Sequence, residues 1–254
     1  MTDLEVETGS GVVTLTLNRP RKKNALTLDM YRQLAEALSL ANADQTVRVA
    51  LLRAAGDTFC SGNDIMDFVA AGSADIASAP PMQFIRALVE FEKPIVAAVQ
   101  GAAIGIGATM LLHADLVFAC EDATLSMPFV SLGLVPEAAS SLLLPARVGM
   151  CIASEMLLLG KVIDAAAAKD LGLLNQVVAA DALGAVARER AQELAAKPPT
   201  ALRRTRNLLR ANRDTILVRA LEEGRQLFEA LAMPEAREAF AAFLERRAPD
   251  FSMF

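Results

Sequence analysis

The chain has 254 residues, with 25 Lys and Arg against 30 Asp and Glu, a formal net charge of −5 and an apolar fraction of 54%. That composition excludes wholesale disorder, and the length can bury a large core without disulfides or structural metal. The acidic balance excludes a nucleic-acid partner, and three cysteines without a CxxC, beside one histidine, exclude a disulfide framework and a zinc or other metal site.

No secretory leader pattern opens the chain, and the longest apolar runs, 102–112 and 163–168, fall short of the roughly 20 residues that span a bilayer. A cytoplasmic protein with no membrane span is expected. Residues 12–17 read as a strand ending at Asn18-Arg19-Pro20, followed by the basic turn Arg21-Lys22-Lys23. Thr27 then caps a helix whose apolar face carries Met30, Leu34, Ala37, Leu38 and Ala41. Residues 47–52 and 95–99 are short apolar runs, expected as strands covered on both faces. Between them lie an irregular segment over 56–64, a surface loop over 70–81 and a helix over 82–91.

A second glycine-containing turn over 101–107 leads into a helix through Met110–Leu112, and strands are expected at 115–119 and 124–126. After Pro136 helices are expected over 154–159, 165–171 and 183–194, with a last strand at 174–178. Lys197-Pro198-Pro199 divides an α/β core, 1–196, from a helical region, 197–254, with helices over 200–213, 216–231 and 235–246. Charge reverses at the same place: 14 basic and 22 acidic side chains precede it, and 11 and 8 follow. Arg203, Arg206, Arg210 and Arg213 recur at helical spacing. A solvated face is their ordinary reading, with a subunit or phosphate contact as the alternative.

Two glycine turns stand out, Phe59-Cys60-Ser61-Gly62-Asn63-Asp64-Ile65 and Gly101-Ala102-Ala103-Ile104-Gly105-Ile106-Gly107-Ala108-Thr109. Each follows a buried strand, where backbone N–H groups can point outward together. Neither carries a dinucleotide or P-loop pattern. His113 lies in an apolar segment and is expected as a hydrogen-bonded core residue; Cys60 lacks an activating histidine and is expected to pack. Glu137 is a single carboxylate among apolar and small residues. Such surroundings raise a carboxyl pKa toward proton-transfer duty, while a glutamate satisfying the first turn of a helix reads the same way.

With these segments in hand, the chain resembles the enoyl-CoA hydratase/isomerase, or crotonase, superfamily. Leu17-Asn18-Arg19-Pro20 with Asn24-Ala25-Leu26 is similar to its opening motif, and the two glycine turns are similar to its oxyanion-hole loops. The resemblance implies an α/β fold of repeated ββα units in a spiral, a C-terminal helical region serving as trimerisation and pocket-lid segment, and a homotrimer or dimer of trimers. It implies an acyl-CoA thioester substrate and no cofactor beyond the coenzyme A of that substrate. The backbone N–H groups of Asn63 and Ile106 would bind the thioester oxygen. Arg21, Lys22, Lys23, Ser61, Asp64 and Ile65 would lie along coenzyme A, and Phe68, Phe84, Phe129 and Leu132 would line the acyl pocket. The two glutamates of the family's hydratases are here Thr109 and Phe129, whereas Glu137 matches the catalytic glutamate of its Δ3,Δ2-enoyl-CoA isomerases. Isomerase chemistry is therefore expected, with an altered hydratase or other acyl-CoA-transforming enzyme and a non-catalytic acyl-CoA binder as alternatives.

Overall fold

In a computed structural model that describes residues 2–64, 67 and 76–254, strands β1 (Leu4–Gly9) and β2 (Val12–Leu17) form an antiparallel hairpin. Strands β3 (Val49–Ala54), β4 (Ile95–Val99), β6 (Leu116–Cys120) and β9 (Gln176–Val178) continue the sheet in parallel, in the order β1-β2-β3-β4-β6-β9. The apolar runs follow from this placement, because alternate residues of each strand enter different cores. Ala50, Leu52, Ala97 and Val99 join the larger core; Val49, Leu51, Val96 and Ala98 join a smaller one, closed by Leu183, Ala187 and Ala191 of helix α6 (Leu183–Ala195).

A second, three-stranded sheet holds β5 (Ala102–Ile104), β7 (Thr124–Ser126) and β8 (Ile163–Asp164). Single bridges extend it, Cys60 pairing with Ala103 and Leu26 with Asn63. Strand-strand-helix units thus follow one another. β4 and β5 lead into α3 (Ile106–Thr109), continued by a 3-10 turn over Met110–His113, and β6 and β7 lead toward α4 (Ser140–Leu158). The expected turn over 101–107 therefore contains a strand, β5. Helices α1 (Leu28–Ala43), α2 (Pro80–Glu90) and α5 (Ala165–Asp170) also precede α6. Thr27 caps α1 as expected, its hydroxyl accepting from Met30 N–H.

Helix α7 (Pro199–Leu209) follows, and α8 (Arg213–Leu231) and α9 (Pro234–Glu245) fold back on the larger core through Ile216, Ala220 and Ala236. The arginine face is not a solvated one at Arg206 and Arg210. Arg206 is buried, with Nε 2.7 Å from Asp115 Oδ2 and Nη1 donating to Phe91 O. Arg210 reaches Asp115 and the carbonyls of His113 and Ala114 at 3.0 and 2.8 Å. These carbonyls end the 3-10 turn, where unpaired C=O groups favour cations. Arg203 is exposed.

Among the described helices, α4 has the length and apolarity of a membrane span; only its last turns, 154–159, were expected as helix. Gly149, at φ 76° and ψ 161°, breaks it. Its parts, 140–148 and 150–158, are each about 13 Å long at 1.5 Å per residue, well short of a bilayer's roughly 30 Å core.

Candidate active site

The opening motif works as a clamp. Asn24 is fully buried, accepting from Arg19 N–H at 2.8 Å and donating Nδ2 to Ala55 O and Thr58 O at 2.8 and 2.7 Å. Ser61 N–H donates to Lys23 O at 3.0 Å, and Arg19 Nη1 pairs with Asp64 at 2.8 Å. Arg21, Lys22 and Lys23 are exposed beside this loop, with Lys23 ion-paired to Asp57 at 3.1 Å. Asp67 Oδ2 accepts from Leu28 N–H at 2.6 Å. Ile65 and Phe68 lie outside the described residues.

The two glycine loops are zipped together. Cys60 N–H donates to Ala102 O at 3.1 Å, and Ile104 N–H returns a bond to Cys60 O at 2.9 Å. Gly107 permits this approach, since a Cβ there would stand 2.5 Å from Cys60 O. Leu26 takes both ladder bonds of its bridge, from Leu26 N–H to Gly62 O and from Asp64 N–H to Leu26 O. That pattern turns the Asn63 N–H away from Leu26. Gly105, at φ 55° and ψ −122°, precedes α3 and starts the helix at Ile106. Among the described residues, neither the Asn63 nor the Ile106 N–H donates a hydrogen bond. Uncommitted amides at a loop and a helix start suit a developing negative charge.

Glu137 is buried, and Thr109 Oγ1 donates to its Oε1 at 2.5 Å. Burial pushes the Glu137 carboxyl up to about 8; the Thr109 hydroxyl pulls it down and the charge of Glu223 pushes it further up. Its own charge raises both Tyr31 and Cys60, after burial as the main cause, so the three groups share one electrostatic environment. Tyr31 O–H donates to Asn63 Oδ1 at 2.5 Å, fixing the side chain of the residue that offers the first amide.

The chain after Glu137 is held in an unusual shape. Ala138 and Ala139 have φ of 59° and 56°, the left-handed region that side chains disfavour. His113 is buried and holds Ala138 O through Nε2 at 2.8 Å. Burial lowers its pKa to about 4, so neutral imidazole donates Nε2–H to the carbonyl. This is the core histidine expected from sequence. Cys60 is likewise buried, its thiol pushed up to about 12 by burial, which keeps it protonated and in a packing role. The carboxylate that serves the start of α4 is not Glu137 but Glu223, whose Oε1 accepts from Ser141 N–H at 3.0 Å.

Phe84 is buried on α2 against Tyr31, with ring centroids 5.8 Å apart, while Phe129 is buried and Leu132 half-buried in the turn before Glu137. Sequence reasoning missed the contacts of Thr109, Tyr31 and Glu223. For Glu223 a signal was present: it occupies a core position in the stripe Ile216, Ala220, Glu223, Leu227 of α8.

Strand-strand-helix units whose zipped loops offer two amides that donate to no described group, with Thr109 of the same short helix as Ile106 bonded to a buried carboxyl, define an enzyme-like site on a crotonase fold. A profile of the enoyl-CoA hydratase/isomerase family matches residues 7–253, and the chain belongs to that family. The 2,3-dehydroadipyl-CoA hydratase of Escherichia coli (strain K12) is 34% identical, over 99% of both chains. Enoyl-CoA delta isomerase 2 of Rattus norvegicus is 36% identical, over 86% of this chain and 57% of its own length. A crystal structure of an enoyl-CoA hydratase/isomerase from Pseudoalteromonas atlantica T6c superposes with a TM-score of 0.94 at 41% identity, covering 99% of this chain and 100% of that one.

Proposed function

We propose that the protein is a Δ3,Δ2-enoyl-CoA isomerase, moving a 3-enoyl-CoA double bond to the trans-2 position. Glu137 removes a proton from C2 while the Asn63 and Ile106 N–H groups stabilise the thioester oxygen of the dienolate. The same carboxyl returns the proton at C4, so one mobile group suffices and no water is added. Arg21, Lys22 and Lys23 then serve the coenzyme A phosphates, with Ser61 and Asp64 along the thioester arm. Phe84, Phe129 and Leu132 face the acyl chain, and the reaction needs no cofactor.

The observation carrying this reading is Thr109. It stands where the resemblance would require a hydratase glutamate, and its hydroxyl is committed to Glu137 at 2.5 Å. Phe129 occupies the second such position and supplies no carboxylate. Product analysis with 3-enoyl-CoA and trans-2-enoyl-CoA tests the reading. Glu137→Gln is expected to lower isomerisation at least ~100-fold, with thioester binding little changed. Isomerisation near the parent rate overturns the assignment of Glu137. Hydration of trans-2-enoyl-CoA as the main activity supports a hydratase, and tight binding without turnover a binding protein.

Assembly as a homotrimer or dimer of trimers belongs to the same proposal. Leu208, Leu209, Phe243 and Leu244 of the C-terminal helices are at least 60% exposed in the single chain, apolar area of the kind that a subunit contact covers. Light scattering that finds a monomer at micromolar concentration overturns it.

A further inference from the structure

Glu223 is the buried carboxyl that the proposed chemistry does not use. It sits on α8, 86 positions beyond Glu137 in sequence, at a core position between Ala220 and Leu227. Gly224 follows it, where a Cβ would stand 2.7 Å from Cε, the far end of the Met82 side chain on α2. Its Oε1 accepts both from Ser141 N–H at 3.0 Å and from Ser141 Oγ at 2.5 Å. Its Oε2 is buried without a hydrogen-bond partner among the described residues.

Ser141 belongs to the turn that starts at Glu137. Ser140 N–H donates to Glu137 O at 3.0 Å, and the left-handed pair Ala138 and Ala139 lies between them. A carboxylate on the first turn of α4 meets N–H groups and the positive helix end, which favour its charged form against the burial that raises it.

We propose that Glu223 is a positioning residue for Glu137: it fixes the 137–141 turn through Ser141, and it holds a second negative charge close enough to govern when Glu137 gives up its proton. The inference rests on Glu137 being the base. The groups that face Glu137 are Thr109 from α3, Tyr31 from α1, Cys60 from its loop and Glu223 from α8, with His113 on the adjoining Ala138 carbonyl and Arg219 beside Glu223 and Ser141. Tyr31, Cys60 and His113 are uncharged near neutral pH, since burial raises the first two and lowers the third. Among the described residues, Glu223 is therefore the charged group that acts on Glu137, and it raises Glu137. Glu223 is itself raised by burial, against the pull of the Ser141 and Ala139 backbones, the Ser141 hydroxyl and Arg219.

The test follows the Glu137 carboxyl by 13C NMR in protein labelled at glutamate, with the resonance assigned by its loss in Glu137→Gln. Glu223→Gln keeps an oxygen to accept from Ser141 but removes the charge. The Glu137 midpoint is expected to fall by at least about 0.5 pH unit, the acid limb of kcat/KM to fall with it, and KM to stay within about threefold. A purely structural Glu223 leaves both midpoints in place, and an unmoved midpoint in folded Glu223→Gln overturns the inference. Should that variant not fold, the parent decides: a second inflection of the Glu137 signal where Glu223 ionises supports the coupling, and a single inflection overturns it. Full isomerase activity of Glu137→Gln would instead remove the base reading, and the inference with it. An inactive Glu137→Gln with an unmoved midpoint removes the inference alone.

Discussion

Thr109 Oγ1 lies 2.5 Å from Glu137 Oε1, a hydrogen bond between two buried side chains 28 positions apart. A hydroxyl donating to a carboxylate favours the ionised form, against the burial that favours the neutral one. Glu137 is thus set by opposed causes, with burial the larger, and settles at about 8. As a general base it acts ionised, so kcat/KM is expected to climb as pH rises and to level off above about 8.

Removing the Thr109 hydroxyl leaves burial unopposed. Thr109→Val is expected to move the acid limb of kcat/KM to higher pH and to lower activity at pH 7 by about tenfold, the scale of a hydrogen bond to a charged group. Thr109→Ser restores the donor and should return the limb toward its parent position. A pH–rate profile of Thr109→Val superimposable on the parent's would remove Thr109 from the catalytic account.

The Tyr31–Asn63 bond divides what the Asn63 side chain does from what its backbone does. Asn63→Ala keeps the N–H proposed to hold the thioester oxygen, but strands the buried Tyr31 hydroxyl that donated at 2.5 Å. An unsatisfied buried hydroxyl costs about 1–3 kcal/mol. Asn63→Ala should therefore lose stability on that scale while turnover falls less than ~100-fold, the cost of a missing oxyanion donor. Tyr31→Phe with Asn63→Ala should be less destabilised than the single changes summed. Strict additivity in denaturant titrations would show that the bond contributes nothing.

What the sequence made legible follows from local physics. Strand runs such as Ile95–Val99 are apolar throughout because both faces are covered, and Thr27 announces its helix by its own side chain. The glycine loops were legible because Gly107 and its neighbours permit a backbone approach that bulkier residues forbid. Long-range side-chain partners were not. Neither Thr109 nor Glu137 carries a periodic signal for the other, and Tyr31 reads only as one more buried residue of α1. The arginine spacing of α7 was visible, but spacing says nothing of what lies opposite, and the Asp115 carboxylate and the 3-10 carbonyls turned that face into a staple. Glu137 remained open between two roles because the group serving the start of α4 comes from α8, far along the chain.

That staple ties the C-terminal region to the core. Arg206 is 5% exposed and Asp115 20%, and removing one partner of a buried pair leaves the other charge poorly compensated. Arg206→Ala is expected to cost about 3 kcal/mol in denaturant unfolding, with turnover per folded molecule unchanged because the pair lies outside the proposed chemistry. A loss below about 0.5 kcal/mol, the range of an ordinary surface substitution, would show that Arg210 holds α7 without it.

Glu137 also links stability to pH. Its carboxyl is raised from 4.5 to about 8 on folding. Between those values the folded chain keeps a proton that the unfolded chain has released, so stability falls as pH rises across the interval, and the loss is complete above the folded value. Each unit of displacement amounts to about 1.4 kcal/mol, and the effect is therefore on the order of a few kcal/mol. Gln at this position cannot ionise, yet it can still meet the Thr109 hydroxyl. Glu223 titrates in both proteins, and its own contribution largely cancels in the comparison. Glu137→Gln is accordingly expected to match the parent in stability near pH 5 and to exceed it at pH 9, with a Tm higher by at least about 2 °C at the alkaline end. The gain in stability and the loss of isomerisation would then come from the same group, whose buried charge costs the fold what the chemistry requires. Melting curves of the two proteins that run parallel from pH 5 to pH 9 would place Glu137 in an environment where its charge is well solvated, and would leave its raised pKa without support.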